Sequence, residues 1–288
     1  MRIPSNRLKS VLNFAKTELK PLFDEKEILS FFYLLCEHYL KMDKTSVILN
    51  PDYALSESEL LKFNFAIKDL KTEKPIQYIL GRTEFFGYNF KVNEHTLIPR
   101  PETEELVQWI IDNEKPHSQS KILDIGTGSG CIAISLAKQL SKAIVSGIDI
   151  STEALKIAEI NNRELNAGLS LDLIDILNPP KVFDTKFDII VSNPPYVLEA
   201  EKTFMKKNVL QYEPNQALFV KDNDPLIFYR KILSFTKTHL VSEGRIYFEI
   251  NEQKGDEMLS LLKAFNYHKI ELKKDLFNRP RMIYAIKD

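Results

Sequence analysis

The sequence predicts an α/β fold, a doubly wound sheet preceded by an all-helical N-terminal domain. Three observations carry that prediction. From about residue 100 onward, apolar runs of strand length alternate with helical stretches, the pattern of parallel strands joined by helices. A glycine loop, Asp124-Ile125-Gly126-Thr127-Gly128-Ser129-Gly130, lies between one such run and the helix that follows. Residues 1–75 instead carry helical periodicity and capping signatures.

Within residues 1–75, Ser5 is expected to cap a first helix running through Leu8, Val11, Leu12 and Ala15. Asp24 and Glu27 have capping-box spacing before an almost wholly apolar helix, Ile28 to Leu40. Asn50-Pro51 is a break. Ser56 and Glu59 repeat the capping signature before Leu60, Leu61, Phe63 and Ile67, and Pro75 ends that helix. The next segment, residues 76–98, contains Phe85-Phe86-Gly87-Tyr88-Asn89-Phe90, which reads as a hairpin linking two domains. Residues 99–288 follow as the α/β domain. Its predicted strands are Lys121–Ile125, Ala143–Ile148, Leu169–Leu173, Phe187–Val191, Arg245–Ile250, Lys269–Lys273 and Met282–Ile286. Its predicted helices are Thr103–Asn113, Cys131–Leu140, Ser151–Asn166, Pro225–Thr238 and Lys254–Ala264.

Composition narrows the class. The 288 residues are 44% hydrophobic and 27% charged, with a net charge of −1, as expected of a globular protein not held mainly by phosphate contacts. No run of about 18 apolar residues suggests a membrane span. The two cysteines, Cys36 and Cys131, sit in apolar helical patterns, which argues against a disulfide framework and for a reducing compartment. Arg2, Arg7, Lys9 and Lys16 raise the question of a transit peptide, but Glu18 and the helix through this segment favour a domain start. Residues 1–75 hold 12 Lys or Arg against 11 Asp or Glu, which suits protein recognition, or simple packing, better than a nucleic-acid clamp.

The glycine loop suggests a nucleoside cofactor. Gly126, Gly128 and Gly130 permit a sharp turn and a close approach to a ligand. Asp149, 19 positions after Gly130, follows the next strand, where a carboxylate accepts hydrogen bonds from both ribose hydroxyls. The third small residue of a dinucleotide fingerprint would fall at Cys131, a mild count against a nicotinamide cofactor. Asp175-Ile176, after the third strand, is where an adenine edge would lie, though an ordinary loop acid reads equally well there.

Asn193-Pro194-Pro195-Tyr196, just after the strand ending at Val191, suggests the chemistry. A carboxamide or aromatic amine is a poor nucleophile with two N–H donors. Asn193 offers a side-chain carbonyl and Pro194 a backbone carbonyl to hold them. The prolines lack N–H groups and stiffen the loop, and Tyr196 can lay its ring on a flat amide or base. Together these point to methyl transfer onto a planar nitrogen, with no need for a metal or a covalent nucleophile. Read blandly, the four residues are only a turn after a strand.

These segments resemble the release-factor glutamine methyltransferases over nearly the whole chain. The likeness rests on Pro75-Ile76-Gln77-Tyr78-Ile79-Leu80-Gly81, on Phe85-Phe86-Gly87 with Phe90, and on Leu97-Ile98-Pro99-Arg100-Pro101-Glu102-Thr103-Glu104. Asp124 to Gly130, Asp149, Asn193 to Tyr196, Glu213-Pro214, and Phe248-Glu249-Ile250 with Gln253 add to it. The resemblance implies a Rossmann-like class I fold and S-adenosylmethionine as methyl donor. It implies as acceptor the glutamine of a Gly-Gly-Gln loop in class-one peptide chain release factors, gripped by the helical domain. It assigns Gly126, Thr127, Gly128, Ser129 and Gly130 to the methionine part of the donor, and Asp149 to the ribose. Ile176 takes an aromatic's place beside the adenine, and Asn193 also borders the donor. Asn193, Pro194, Pro195 and Tyr196 hold the glutamine, with Asn193, Pro194 and Tyr196 in the catalytic roles. Asn278 stands where the family usually has glycine, and asparagine tolerates left-handed backbone. Arg100 and Glu102 either border the site or form an ion pair that pins the linker.

The expected protein is a cytoplasmic monomer that touches neither nucleic acid nor membrane. A ribosomal-protein glutamine methyltransferase shares Asn-Pro-Pro-Tyr, but residues 99–104 tilt toward release factors. A nucleic-acid adenine methyltransferase would need a basic, base-reading face. A nicotinamide oxidoreductase would leave Asn193 to Tyr196 idle, and a non-catalytic module would not need the full motif set.

Overall fold

The computed structural model describes residues 3–114, 119–180 and 185–288. Arg2, one of the N-terminal basic residues considered above, lies outside them. Two compact units emerge: Met1–Gly81 with Lys206–Tyr212, and Arg82–Met205 with Glu213–Asp288.

The first unit is helical. Helices α1 (Leu8–Leu19), α2 (Glu25–Leu40), α3 (Lys44–Leu49), α4 (Glu57–Leu70) and α5 (Ile76–Leu80) enclose a core that includes Leu8, Val11, Phe32, Leu35, Phe63 and Ile67. Two predicted caps are made: the Asp24 side chain accepts from Glu27 N at 2.9 Å, and Ser56 with Glu59 forms a complete capping box. Ser5 does not cap α1. Its hydroxyl accepts from Arg7 N, and the first helical N–H groups, on Leu8 and Lys9, donate to Tyr53 O and Pro51 O at 2.9 and 2.8 Å. A distant chain segment thus satisfies the donors that a side-chain cap would otherwise take. Helices α3 and α5 were not foreseen, being too short to show a period.

The second unit opens with a hairpin, β1 (Arg82–Phe85) and β2 (Tyr88–Lys91), turning at Phe86-Gly87. Then come α6 (Pro101–Asn113), β3 (Lys121–Ile125), α7 (Cys131–Gln139), β4 (Ile144–Asp149), α8 (Thr152–Leu165), β5 (Ser170–Leu173) and β6 (Phe187–Ser192). Two short strands, β7 (Val197–Leu198) and β8 (Phe219–Val220), pair in parallel. Before β8 lie α9 (Lys207–Tyr212), which belongs to the helical unit, and α10 (Asn215–Leu218). The chain closes with α11 (Ile227–His239), β9 (Leu240–Glu249), α12 (Gly255–Ala264), β10 (Tyr267–Lys274) and β11 (Pro280–Lys287).

Every predicted strand is present and joins one seven-stranded sheet, ordered β10-β11-β9-β6-β3-β4-β5. The strands from β9 to β5 run parallel, while β11 runs antiparallel to both of its neighbours, β9 and β10. Side chains alternate between two cores. Leu123, Ile190 and Phe248 face α11 and α12, whereas Ile122, Ile189 and Tyr247 face α6, α7 and the hairpin residues Phe85 and Phe90. The central strands, covered on both faces, are largely apolar, which is why they stand out in the sequence, while the edge strands β5 and β10 are more polar and more exposed. Strand order reverses at β3, so the carboxyl ends of β3 and β6 flank a crevice, the usual ligand position in open α/β sheets. No helix among the described residues is long and apolar enough to cross a membrane.

Candidate active site

The glycine loop leaves β3 at this crevice. Gly126, Gly128 and Gly130 have φ of +76°, +57° and +81°, a region that side-chain-bearing residues rarely adopt. The loop's own donors are largely spent on holding its shape. Gly126 N and Thr127 N donate to Ile148 O, Gly130 N donates to Thr127 O, and Gly128 N donates to Asp149 Oδ2 at 2.8 Å. Gly126 and Gly128 therefore offer the cleft a surface without side chains rather than a cradle of free N–H groups. Thr127 turns inward, its hydroxyl donating to the buried Asp124 at 2.7 Å. Asn161, buried in α8, ties the loop to the hairpin by donating to Ser129 O and Lys91 O and accepting from Lys91 N.

Asp149 ends β4 and lines the cleft. Its second oxygen accepts from Ser151 N at 2.8 Å. Burial raises its pKa above the usual carboxylate value, while these backbone donors oppose the rise. The wall beyond is apolar, formed by Ile150, Ile174, Ile176, Phe228 and Ile232, with Asp175 at its edge.

Asn193, Pro194 and Pro195, which follow β6 beside the glycine loop, line the same cleft. Asn193 and Pro194 also line a second, smaller cavity with Tyr196, Arg100, Val197 and Glu249. The four-residue loop is thus a wall shared by two adjoining cavities. Of the residues proposed from sequence, Gly126, Gly128, Asp149, Ile176, Asn193, Pro194 and Pro195 meet at the large cleft and Tyr196 at the small one. Thr127, Ser129 and Gly130 line neither.

A buried polar cluster supports the small cavity. Glu249, at the end of β9, accepts from Tyr196 OH at 2.8 Å and from Thr103 Oγ1 at 2.7 Å. Burial raises its pKa, and those two donors together with the charge of Arg281 oppose the rise. Asn251 donates to Tyr196 O and to Glu201. Arg100 pairs with the buried Glu213 at 2.6 Å rather than with Glu102, and Glu213 also accepts from Ile98 N. This ion pair pins residues 98–100 against the segment entering α10. Glu104 accepts from Phe86 N at 2.9 Å and so holds the hairpin turn. Asn278 adopts φ +62°, as its place in a glycine position requires, in a turn whose N–H groups at Phe277 and Arg279 donate to Asp275.

Residues 116–268 match the family model described as "Methyltransferase domain", and residues 10–81 match the "PrmC N-terminal domain". The release factor glutamine methyltransferase of Flavobacterium psychrophilum is 51% identical over 92% of this chain and 94% of its own length. That of Bacteroides thetaiotaomicron is 43% identical over 94% of this chain and 97% of its own. This chain belongs to the release factor glutamine methyltransferase family. Among solved structures, the T. thermophilus 16S rRNA N2 G1207 methyltransferase, in complex with AdoMet and guanosine, matches with a TM-score of 0.52 and 15% identity. That match covers 72% of this chain and 50% of the other, and it establishes the fold alone. As a methyltransferase of this family, the enzyme draws its methyl group from S-adenosylmethionine.

Asp124 makes a stability prediction at the base of the site. Burial raises its pKa from 3.8 to about 7, against the opposing bond from Thr127. The folded state therefore holds a proton that the unfolded chain has released, and stability falls as pH rises from about 4 through about 7. Asp124→Asn should remove roughly 2–4 kcal/mol of that fall, read as a shallower loss of unfolding free energy between the two ends of the window. Parallel slopes in the two proteins would show that Asp124 is already ionised when folded.

Proposed function

We propose that this protein methylates the side-chain amide nitrogen of the glutamine in the Gly-Gly-Gln motif of class-one peptide chain release factors, and so supports translation termination. The observation that carries the reading is the shared wall: Asn193 and Pro194 border both the cleft suited to the donor and the smaller cavity beside it. When bound, S-adenosylmethionine supplies an electrophilic methyl group on a sulfonium sulfur. The glutamine amide enters the small cavity, where the Asn193 side-chain carbonyl and the Pro194 backbone carbonyl accept its two N–H groups. This would turn the nitrogen lone pair toward the methyl group and favour the positive charge that develops on it; as the N–C bond forms the methyl–sulfur bond breaks, S-adenosylhomocysteine leaves, and the nitrogen gives up one proton to solvent. Tyr196, its hydroxyl committed to Glu249, keeps its ring beside the amide. Most of the acceleration comes from orientation, for which about 7–11 kcal/mol is available in favourable cases.

In this reading Gly126 and Gly128 accommodate the methionine part of the donor, Asp149 accepts from the ribose, and Ile176 packs on the adenine. Thr127, Ser129 and Gly130 shape the loop from below. The helical bundle of residues 1–75 recognises the release factor, in keeping with its near-balanced charge. The enzyme works as a cytoplasmic monomer without direct contact to nucleic acid. The test is mass spectrometry of a purified release factor incubated with the enzyme and S-adenosylmethionine, beside a copy whose Gly-Gly-Gln glutamine is replaced. One added methyl group on the first and none on the second is expected. No methyl on either, with donor binding shown, would overturn the reading.

A further inference from the structure

Asn193 can serve as an acceptor only if its carboxamide is turned the right way. Its two orientations are nearly the same in shape and opposite in hydrogen-bonding sense. In one, Oδ1 faces the incoming amide. In the other, Nδ2 meets N–H groups with a donor. Nothing in the loop itself chooses between them.

A buried chain does. Thr103 is 2% exposed and Glu249 1%. The Thr103 hydroxyl has one proton, which it donates to Glu249 Oε2 at 2.7 Å. Its oxygen is then left only with acceptor capacity. Asn193 Nδ2 meets that oxygen at 3.2 Å. An Asn193 flipped by half a turn would set Oδ1 against an oxygen with no proton to give. The other carboxylate oxygen of Glu249 is held by Tyr196 OH, which fixes the far end of the same four-residue loop.

We propose that Thr103 is a positioning residue that fixes the orientation of the Asn193 amide, with Glu249 setting the direction of the chain by drawing the Thr103 proton away from Asn193. The inference rests on the role given to Asn193 above. It assigns work to a residue of the Pro101-Glu102-Thr103-Glu104 segment that lines neither cavity. A purely structural Thr103 would instead only fill space at the start of α6.

The experiment is a double-mutant cycle in methyl transfer to a purified class-one release factor, with donor affinity measured by calorimetry in each variant. Thr103→Val keeps the shape and removes the hydroxyl. It should lower kcat by about 10- to 100-fold, the scale of a misplaced reacting group, and leave donor affinity within about twofold. Placed on Asn193→Ala, the same change should cost less than about twofold, because no amide remains to be oriented. Thr103→Ser should keep the rate within about threefold of wild type, since it keeps the hydroxyl. Thr103→Ala repeats the cycle should the valine variant fail to bind donor. Three results would overturn the proposal: wild-type kcat in both variants lacking the hydroxyl, a full-sized loss that persists on Asn193→Ala, or a serine variant as slow as valine. A wild-type enzyme that leaves the release factor unmethylated would strike at the proposed function itself.

Discussion

Asn193→Ala is expected to lower methyl transfer by about 10²- to 10³-fold, the usual loss when one preorganised hydrogen-bonding group is removed from a site of developing charge. In the proposed reading the Asn193 side chain supplies one of two acceptors for the glutamine N–H groups, and its removal would free that nitrogen to rotate away from the line of attack. Affinity for S-adenosylmethionine should change by less than about threefold, because in the proposed reading the donor is held by Gly126, Asp149 and Ile176, which line the same cleft and are untouched in the variant. The discriminating measurement is kcat beside the donor dissociation constant. Equal losses in both would move Asn193 from the acceptor to the donor. Asn193→Asp is a sharper variant. It keeps two oxygens but brings a charge to Thr103 Oγ1, which is already donating to Glu249. It should therefore be no better than alanine.

Asp149→Ala should show the reverse split, with donor affinity down about 10- to 100-fold and kcat at saturating donor within about threefold. Hydrogen bonds to a charged group contribute about 1.5–3 kcal/mol each, part of which water returns when they are lost. Asp149 also accepts from Gly128 N and Ser151 N, so alanine loosens the turn as well as removing the ribose acceptor. Asp149→Asn does not separate the two effects, because its NH2 would face one of the two backbone donors that the carboxylate accepts from. Acid should weaken donor binding in the wild type. The Asp149 pKa lies above 3.8, so the acceptor is lost on acidification sooner than an ordinary aspartate would lose it. Donor affinity that is flat with pH in the wild type, and unchanged in Asp149→Ala, would remove Asp149 from the donor site.

Much of this was written in local sequence. Lys121–Ile125 was located to the residue and the other six strands of the sheet to within a few positions; the central ones, such as Phe187–Ser192, are buried on both faces and read as short, largely apolar runs. The boundary of β9 was the largest miss, beginning at Leu240 where Arg245 was expected, since Ser242, Glu243 and Gly244 interrupt the apolar run. Caps at Asp24 and Ser56 were legible because donor and acceptor lie three residues apart. The Ser5 cap was misread because the partners of Leu8 N and Lys9 N lie more than forty residues away. The parallel pair Val197–Leu198 with Phe219–Val220 is too short to show any alternation. Nor did anything local mark Lys206–Tyr212 as part of the helical unit, where Tyr212 OH meets Thr72 O at 2.9 Å.

The site divides in the same way. Its chemical inventory, three glycines in a loop, a carboxylate ending the next strand and a stiff row of acceptors, was determined by the sequence alone. Backbone conformation and strand burial depend on a residue and its near neighbours, so those features leave a local trace. Tertiary structure decided which polar groups meet. Thr103 lies 146 positions from Glu249 and 90 from Asn193, and Asn161 lies 70 from Lys91. Arg100 and Glu102 drew attention in the sequence as charged residues, yet Arg100 turned to Glu213 and it was the unremarked Thr103 that reached Asn193. A hydrogen bond of that kind requires only that two groups be buried together with matching donor and acceptor. That matching is set by how strands and helices pack, and no periodicity in the chain records it.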